Sequence, residues 1–174
     1  MRIYILETFK AIILLFTALF VVSCATKGLP LPENEQSTLL VVNVKNDTVM
    51  KKFFVKYRLV FDDGSYISIY PGQGNKYFSY LAPGNYRIVQ LQPDYLASNK
   101  IGRTSRLNES FTLEAGKITI FPIVFNVLLE RKKMETGFDL TQSITLTYMS
   151  DLQRDEIISQ LAQNENFDQW AILQ

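Results

Sequence analysis

"FFVKYRLVFDDGSYISIY", residues 53 to 70, is the stretch whose reading decides how this chain folds. Phe53, Val55, Tyr57, Leu59 and Phe61 fall on one parity, while Lys56 and Arg58 fall on the other. That alternation is a β-strand with one face in a core and one face in solvent. Asp62-Asp63-Gly64 interrupts it, and Asp-Gly tolerates the positive φ that a hairpin tip demands. In the returning half Ile67 and Ile69 share a parity, which puts Tyr66 and Tyr70 on the opposite face of the pleat. Such a hairpin needs more strands and a second layer to cover its apolar side.

The same pattern recurs in both directions. Upstream, "TLLVVNV" (38–44) is a compact apolar run rich in β-branched residues and bounded by Asn46-Asp47. Downstream, "KYFSYL" (76–81) leads into "APGN" (82–85), where proline presets one turn angle and glycine accepts the other, and "YRIVQLQ" (86–92) leaves it. "SFTL" (110–113) and "ITIFPIVFNVLL" (118–129) flank a Glu114-Ala115-Gly116 turn, and "SITLTYM" (143–149) carries Ile144, Leu146 and Tyr148 on one parity. About eight strands at this spacing predict an all-β domain, a single antiparallel β-sandwich. Ile118 to Leu129 is apolar on both parities, as suits a central strand covered on both faces, and Pro122 within it predicts a bulge or a switch of sheet because proline cannot donate to a ladder. Arg131-Lys132-Lys133 reads as a turn beyond that strand.

From residue 150 the period changes. Ser150 can cap a helix beginning at Asp151, with Gln153 at the reciprocal capping-box position, and Leu152, Ile157, Ile158 and Leu161 make an apolar stripe. A short C-terminal amphipathic helix is expected to pack on the sandwich, with Phe167 and Trp170 as core plugs.

Two segments, "YFSYLAPGNYRI" and "FTLEAGKITIF", resemble the strand-turn-strand units of small transthyretin-like or carboxypeptidase-regulatory-like β-sandwiches. In that resemblance Leu81, Pro83, Gly84 and Tyr86 form a turn joining two strands, and Gly116 enters the closing strand. It implies a fold and no activity.

The N-terminal end tells a different story. Arg2 and Lys10 precede an apolar run from Ala11 to Val22 interrupted by Thr17, with Glu7 as the one acid, and the small residue Ser23 stands before Cys24, the only cysteine. This is the layout of a secretory signal. The run is short of the roughly 20 apolar residues that a spanning helix needs. Val21-Val22-Ser23-Cys24 resembles the lipobox of bacterial lipoproteins. The resemblance implies cleavage before Cys24, acylation of its thiol and amine, and attachment to a membrane through that lipid. An uncleaved anchor or a plain secretory signal with a chance cysteine is the alternative. Ala25, in place of the aspartate that resembles an inner-membrane retention signal, implies the outer membrane of the bacterial cell envelope. The expected organisation is a leader over 1–23, a lipidated N-terminus and flexible linker over 24–36 ("ATKGLPLPENEQ" after the cysteine), the sandwich over 37–149, and the helix and tail over 150–174.

Composition narrows function further. The 18 basic and 17 acidic residues become 16 and 16 once Arg2, Lys10 and Glu7 leave with the leader. A net charge near zero gives no electrostatic case for nucleic acid or an anionic surface. Histidine is absent, and a lipidated Cys24 leaves no thiol, so disulfides, the usual zinc ligands and the familiar nucleophile pairs are missing. No catalytic residue, metal site or cofactor is expected. Asp62-Asp63 has the oxygen ligands calcium wants, yet two acids at a hairpin tip are more simply a turn. Gly72-Gln73-Gly74 lies between strands with no following helix to receive phosphate.

Two groups of residues remain as binding candidates. Tyr66 and Tyr70, with Tyr77 and Tyr80 nearby, offer aromatic area for a sugar ring or a protein partner, or simply cross-strand pairing. Tyr95, Lys100, Arg103 and Arg106 fall in the longest predicted loop, "PDYLASNKIGRTSR", where a basic cluster suits a carboxylate or phosphate and a solvated loop explains it equally. The functional expectation is a non-catalytic lipid-anchored envelope protein that binds or helps assemble an envelope component, a protein or a glycan. The alternative is a carbohydrate-binding module using surface tyrosines.

Overall fold

The computed structural model describes residues 28–46, 55–72, 74–95, 104–135 and 137–173. Along them run strands β1 (Leu39–Asn46), β2 (Val55–Phe61), β3 (Tyr66–Ile69), β4 (Gly74–Phe78), β5 (Gly84–Tyr95), β6 (Ser105–Leu113), β7 (Lys117–Met134) and β8 (Gly137–Tyr148), then helix α1 (Asp151–Leu161), a 3-10 turn (Phe167–Gln169) and strand β9 (Ala171–Ile172). The chain is mostly β, in two sheets. One has the order β4-β1-β7-β8, with β9 also pairing to β7, and the other the order β3-β2-β5-β6.

The expected hairpin at Asp62-Asp63-Gly64 is β2 and β3, antiparallel from Tyr57 opposite Ile69 to Val60 opposite Tyr66. Phe61 and Ser65 close the loop with a 2.8 Å bond from the Phe61 amide to the Ser65 carbonyl, and Gly64 takes φ +83°, a region that a Cβ would strain. Leu59, Ile67 and Ile69 of this hairpin are buried in one cluster with Leu40 and Val42 of β1 and Phe121 and Phe125 of β7, so both sheets contribute to a shared core. Its centre is aromatic. Phe121 stacks on Phe125 with ring centroids 6.1 Å apart, and Phe111 meets Phe121 edge-on at 5.5 Å.

The first sheet is covered on its other face as well. Leu39 and Val41 of β1 and Ile118 and Ile120 of β7 pack with Ile157, Leu161, Trp170 and Leu29. This explains why both strands are apolar on both parities: odd and even positions meet different cores. The helix starts at its capping box, with the Ser150 hydroxyl accepting from the Gln153 amide and the Gln153 side chain accepting from the Ser150 amide. Leu152, read as part of the stripe, is 79% exposed; the helix buries Ile157 and Leu161.

Several expectations need correction. The first sheet is mixed, not purely antiparallel, because β1 pairs parallel to β7 and β7 pairs parallel to β9. The whole excursion through β2 to β6 separates β1 from β7, so no tight turn constrains their relative direction. Pro122, by contrast, lies in a bulge as its sequence context predicts: from Val41 to Asn43 β1 advances two residues, while the paired positions on β7 advance four, from Ile120 to Val124. The Pro122 carbonyl still accepts from the Met149 amide at 2.8 Å. The Pro83-Gly84 turn joins β4 to β5, strands of different sheets, and the Tyr86 hydroxyl pins the crossing by donating to the Ala82 carbonyl at 2.8 Å.

Arg131-Lys132-Lys133 is no turn, since β7 runs on to Met134 and pairs with β8 from Ile123–Tyr148 to Met134–Gly137. Within the stretch read as linker, residues 28–30 are held on the body. Leu29 is 2% exposed, its carbonyl accepts from Asn166 Nδ2 at 3.0 Å, and the Pro30 carbonyl accepts from Trp170 Nε1 at 2.9 Å. Proline and polar residues disfavour regular structure there without preventing a single leucine from anchoring the segment.

Candidate functional site

The pleat sorts the second sheet into an inner and an outer face, and the outer face carries the candidate residues. Ile67 and Ile69 are each 1% exposed, whereas Tyr66 and Tyr70 are 50% and 57% exposed. The register runs Tyr66–Val60–Gln90–Arg106 across all four strands. Tyr66 and Arg106 thus share a row but stand at opposite edges, three strand spacings or about 14 Å apart. Arg106 is on β6 and not in a loop, because β6 begins at Ser105. Tyr95 ends β5 opposite Val55, and its side chain lies outside what is described. Lys100, Arg103 and Cys24 lie outside the described residues. A basic cluster around Arg106 is therefore not assembled by the residues in view.

Between the edges the outer face is an ion network. Asp94 accepts from Arg58 at 2.7 Å and from Lys56 at 3.1 Å, and the Arg58 guanidinium lies 4.7 Å from the centre of the Tyr66 ring. The hydrogen bond from Lys56, reinforced by Arg58 and opposed by partial desolvation, holds the Asp94 carboxyl below the usual carboxylate value. Tyr66 is thereby a partner of Arg58, a cation–π contact typical of protein surfaces.

The two acids at the hairpin tip separate. Asp62 pairs with Arg87 at 3.2 Å, and Asp63 turns back to accept from the Ser65 amide and hydroxyl, bonds that lower its own pKa. They close a turn, in the way short acidic side chains commonly do. Among the described residues no three His, Cys, Asp or Glu side chains gather into a metal-binding group. Nor, among them, is any helix long and apolar enough to cross a membrane.

A concave site does form, where the edges of the two sheets meet. β3 and β4 are each the outer strand of their sheet. Between them lies a groove of about 780 Å³ whose lining includes Gly28, Pro30, Ser68, Tyr70, Lys76 and Tyr77. Burial pushes the Lys76 ammonium below, and the Tyr77 hydroxyl above, their ordinary pKa values, with a hydrogen bond to Asn75 partly offsetting the latter. Tyr80, 69% exposed, packs edge-on against Phe78 at the same rim. The groove has aromatic walls, one cationic lining residue and no carboxylate among its described lining. Its described lining is part aromatic and part polar.

The chain matches no family model, no curated protein and no solved structure.

Of the tyrosines singled out in the sequence, the structure places Tyr70 and Tyr77 in this groove and Tyr66 outside it. Lys76, Gly28 and Pro30 were not legible as site residues. With Ser68 and Tyr70 they lie on three separate stretches of chain, and only the approach of two sheet edges and the docking of the N-terminal segment bring them together.

Proposed function

We propose that this is a non-catalytic, lipid-anchored protein of the bacterial cell envelope, whose two sheets form one sandwich and which binds or helps assemble another envelope component. The observation that carries this is Val21-Val22-Ser23-Cys24 at the end of an apolar run too short to span a bilayer. More than one acyl chain is needed for stable anchoring, and a lipidated N-terminal cysteine supplies two or three on one residue. Ala25 after the cysteine favours the outer membrane. The complete absence of histidine favours a binding role over catalysis.

Sugar binding by Tyr66 and Tyr70 is the weaker reading. Arg58 already lies over the Tyr66 ring, and the two tyrosines belong to different surfaces, one the ion network and the other the edge groove. The test is metabolic labelling in the native host. Radiolabelled palmitate enters the protein and the protein pellets with membranes; Cys24→Ala abolishes both. Material that begins at Met1 with a free thiol refutes the proposal. In-cell crosslinking that yields a discrete protein species, with no change on a glycan array when Tyr66 and Tyr70 become alanine, separates an assembly partner from a sugar.

A further inference from the structure

The first sheet ends on an edge that its sequence does not protect. β8 pairs with β7 on one side, and among the described residues no strand lies along its other side. The pairing keeps one register over all 12 residues of β8, with no bulge. Proteins blunt such edges by shortness, lysine, proline or a bulge, because an unpaired row of backbone donors and acceptors is a template for another chain. The other outer strands use these devices. β3 has 4 residues and β4 has 5, and β6 carries Arg106 and Glu109 and shifts register against β5. β8 contains no lysine, arginine or proline, and Asp139 is its one charged residue.

The strand that suits this edge is written in β8 itself. Residues 138–148, "FDLTQSITLTY", have nearly the same pattern in both directions about Ser143. Laid antiparallel on a second copy with Ser143 on the twofold axis, Leu140 stands opposite Leu146, Thr141 opposite Thr145 and Phe138 opposite Tyr148, while Asp139 faces Thr147 and no like charges meet. The faces also agree. Ser143, Thr145 and Thr147 are exposed on one face, and Ile144 and Leu146 on the other pack against the shared core, so each face of the sheet continues into the same face of the second copy. Beside this edge a cleft of about 120 Å³ is lined by Leu107, Ile123, Leu146 and Tyr148 among others. The same register carries Phe138 and Leu140 of the second copy to it.

We infer that β8 is a homodimerisation strand: two copies of this chain pair β8 to β8, antiparallel about Ser143, and join their first sheets into one. The contact is isologous, as a twofold dimer requires. Pairing over residues 138–148 forms about ten intermolecular backbone hydrogen bonds, the number a typical protein interface carries. This dimer does not depend on the lipid anchor.

The experiment uses the full-length chain, oxidised in native membranes with copper phenanthroline and sedimented over a concentration series in mild detergent. Residues directly opposite across an antiparallel pair have Cα atoms about 4.5–5.5 Å apart, within disulfide range. Ser143→Cys is therefore expected to yield a disulfide-linked dimer of this chain well above the background set by the parent with Cys24 alone. Thr147→Cys, exposed on the same face, lies roughly 27 Å from its own counterpart in this register and is expected to stay at background. Ser143→Lys and Ser143→Glu each place like charges on the axis and weaken dimerisation several-fold, whereas mixing the two variants restores it. Circular dichroism of each variant checks that the monomer fold is kept. Equal crosslinking at 143 and 147, crosslinking of Ser143→Cys only to a different protein, or a parent that sediments as a monomer at every concentration overturns the inference.

Discussion

Leu29→Ala tests the docking of the N-terminal segment on the body of the protein. Leu29 is 2% exposed and belongs to the cluster that joins α1, Trp170 and the outer face of the first sheet. Removing a buried leucine side chain costs about 2–5 kcal/mol, and the smaller values belong to sites that can collapse. A terminal segment held by two hydrogen bonds can partly close over the gap, so about 2–3 kcal/mol is expected here. With a urea m-value of about 2 kcal/mol/M, the midpoint falls by about 1–1.5 M and m stays unchanged.

Trp170 is the single tryptophan of the chain and is 5% exposed, so its emission reports this cluster directly. In full-length protein held in mild detergent, the variant is expected to show red-shifted emission and greater iodide quenching before the main transition. An unmoved midpoint together with unchanged iodide access would show that residues 28–31 are not part of the cooperative fold.

Two further outcomes are expected. Asp94 has its folded pKa below the unfolded value, so its favourable contribution is fully present above the ordinary carboxylate range and is lost as the pH falls through the lowered folded value. Asp94→Asn is therefore less stable than the parent near neutrality, and the difference closes in strong acid; urea midpoints across a pH series check this, and a gap that persists at the acid end contradicts it. Ser150→Ala removes the hydroxyl half of the capping box and is expected to cost about 1 kcal/mol. That loss lowers the thermal midpoint by about 2–4 °C in a protein of this size, with recovery in Ser150→Asp; calorimetry that finds the alanine variant unchanged would mean the cap is not formed in solution.

The parts of the fold legible in the sequence were those where chemistry is local. Leu59, Ile67, Ile69 and the Asp-Gly tip state their own periodicity and turn, and the β2–β3 hairpin follows. Ser150 and Gln153 announce the helix start in the same way, since a cap concerns only four residues. Where the pattern was polar it misled. "ERKKMETGFDLTQ" is mostly polar, with only Phe138 and Leu140 keeping the parity of Ile144 and Leu146, so the sequence reading stops β7 early and begins β8 late, although residues 130–134 pair with residues 137–141. A strand needs no apolar face when a partner ladder satisfies its backbone. Likewise Pro93, Asp94 and Tyr95 extend β5, and Ser105 and Arg106 begin β6, through residues that composition assigns to a loop.

Local periodicity, turn chemistry and the leader's apolar run, all carried by residues close in the chain, are what the sequence by itself determined: an all-β body, its first hairpin, its terminal helix and a candidate lipid anchor. The mixed strand order, the crossing at Pro83-Gly84, the docking of Leu29 behind Trp170 and the groove between β3 and β4 were decided only by tertiary structure. Each depends on surfaces far apart in sequence meeting under the drive to cover apolar area on both faces of one sheet, and no periodicity within a single segment encodes which distant segment will cover it.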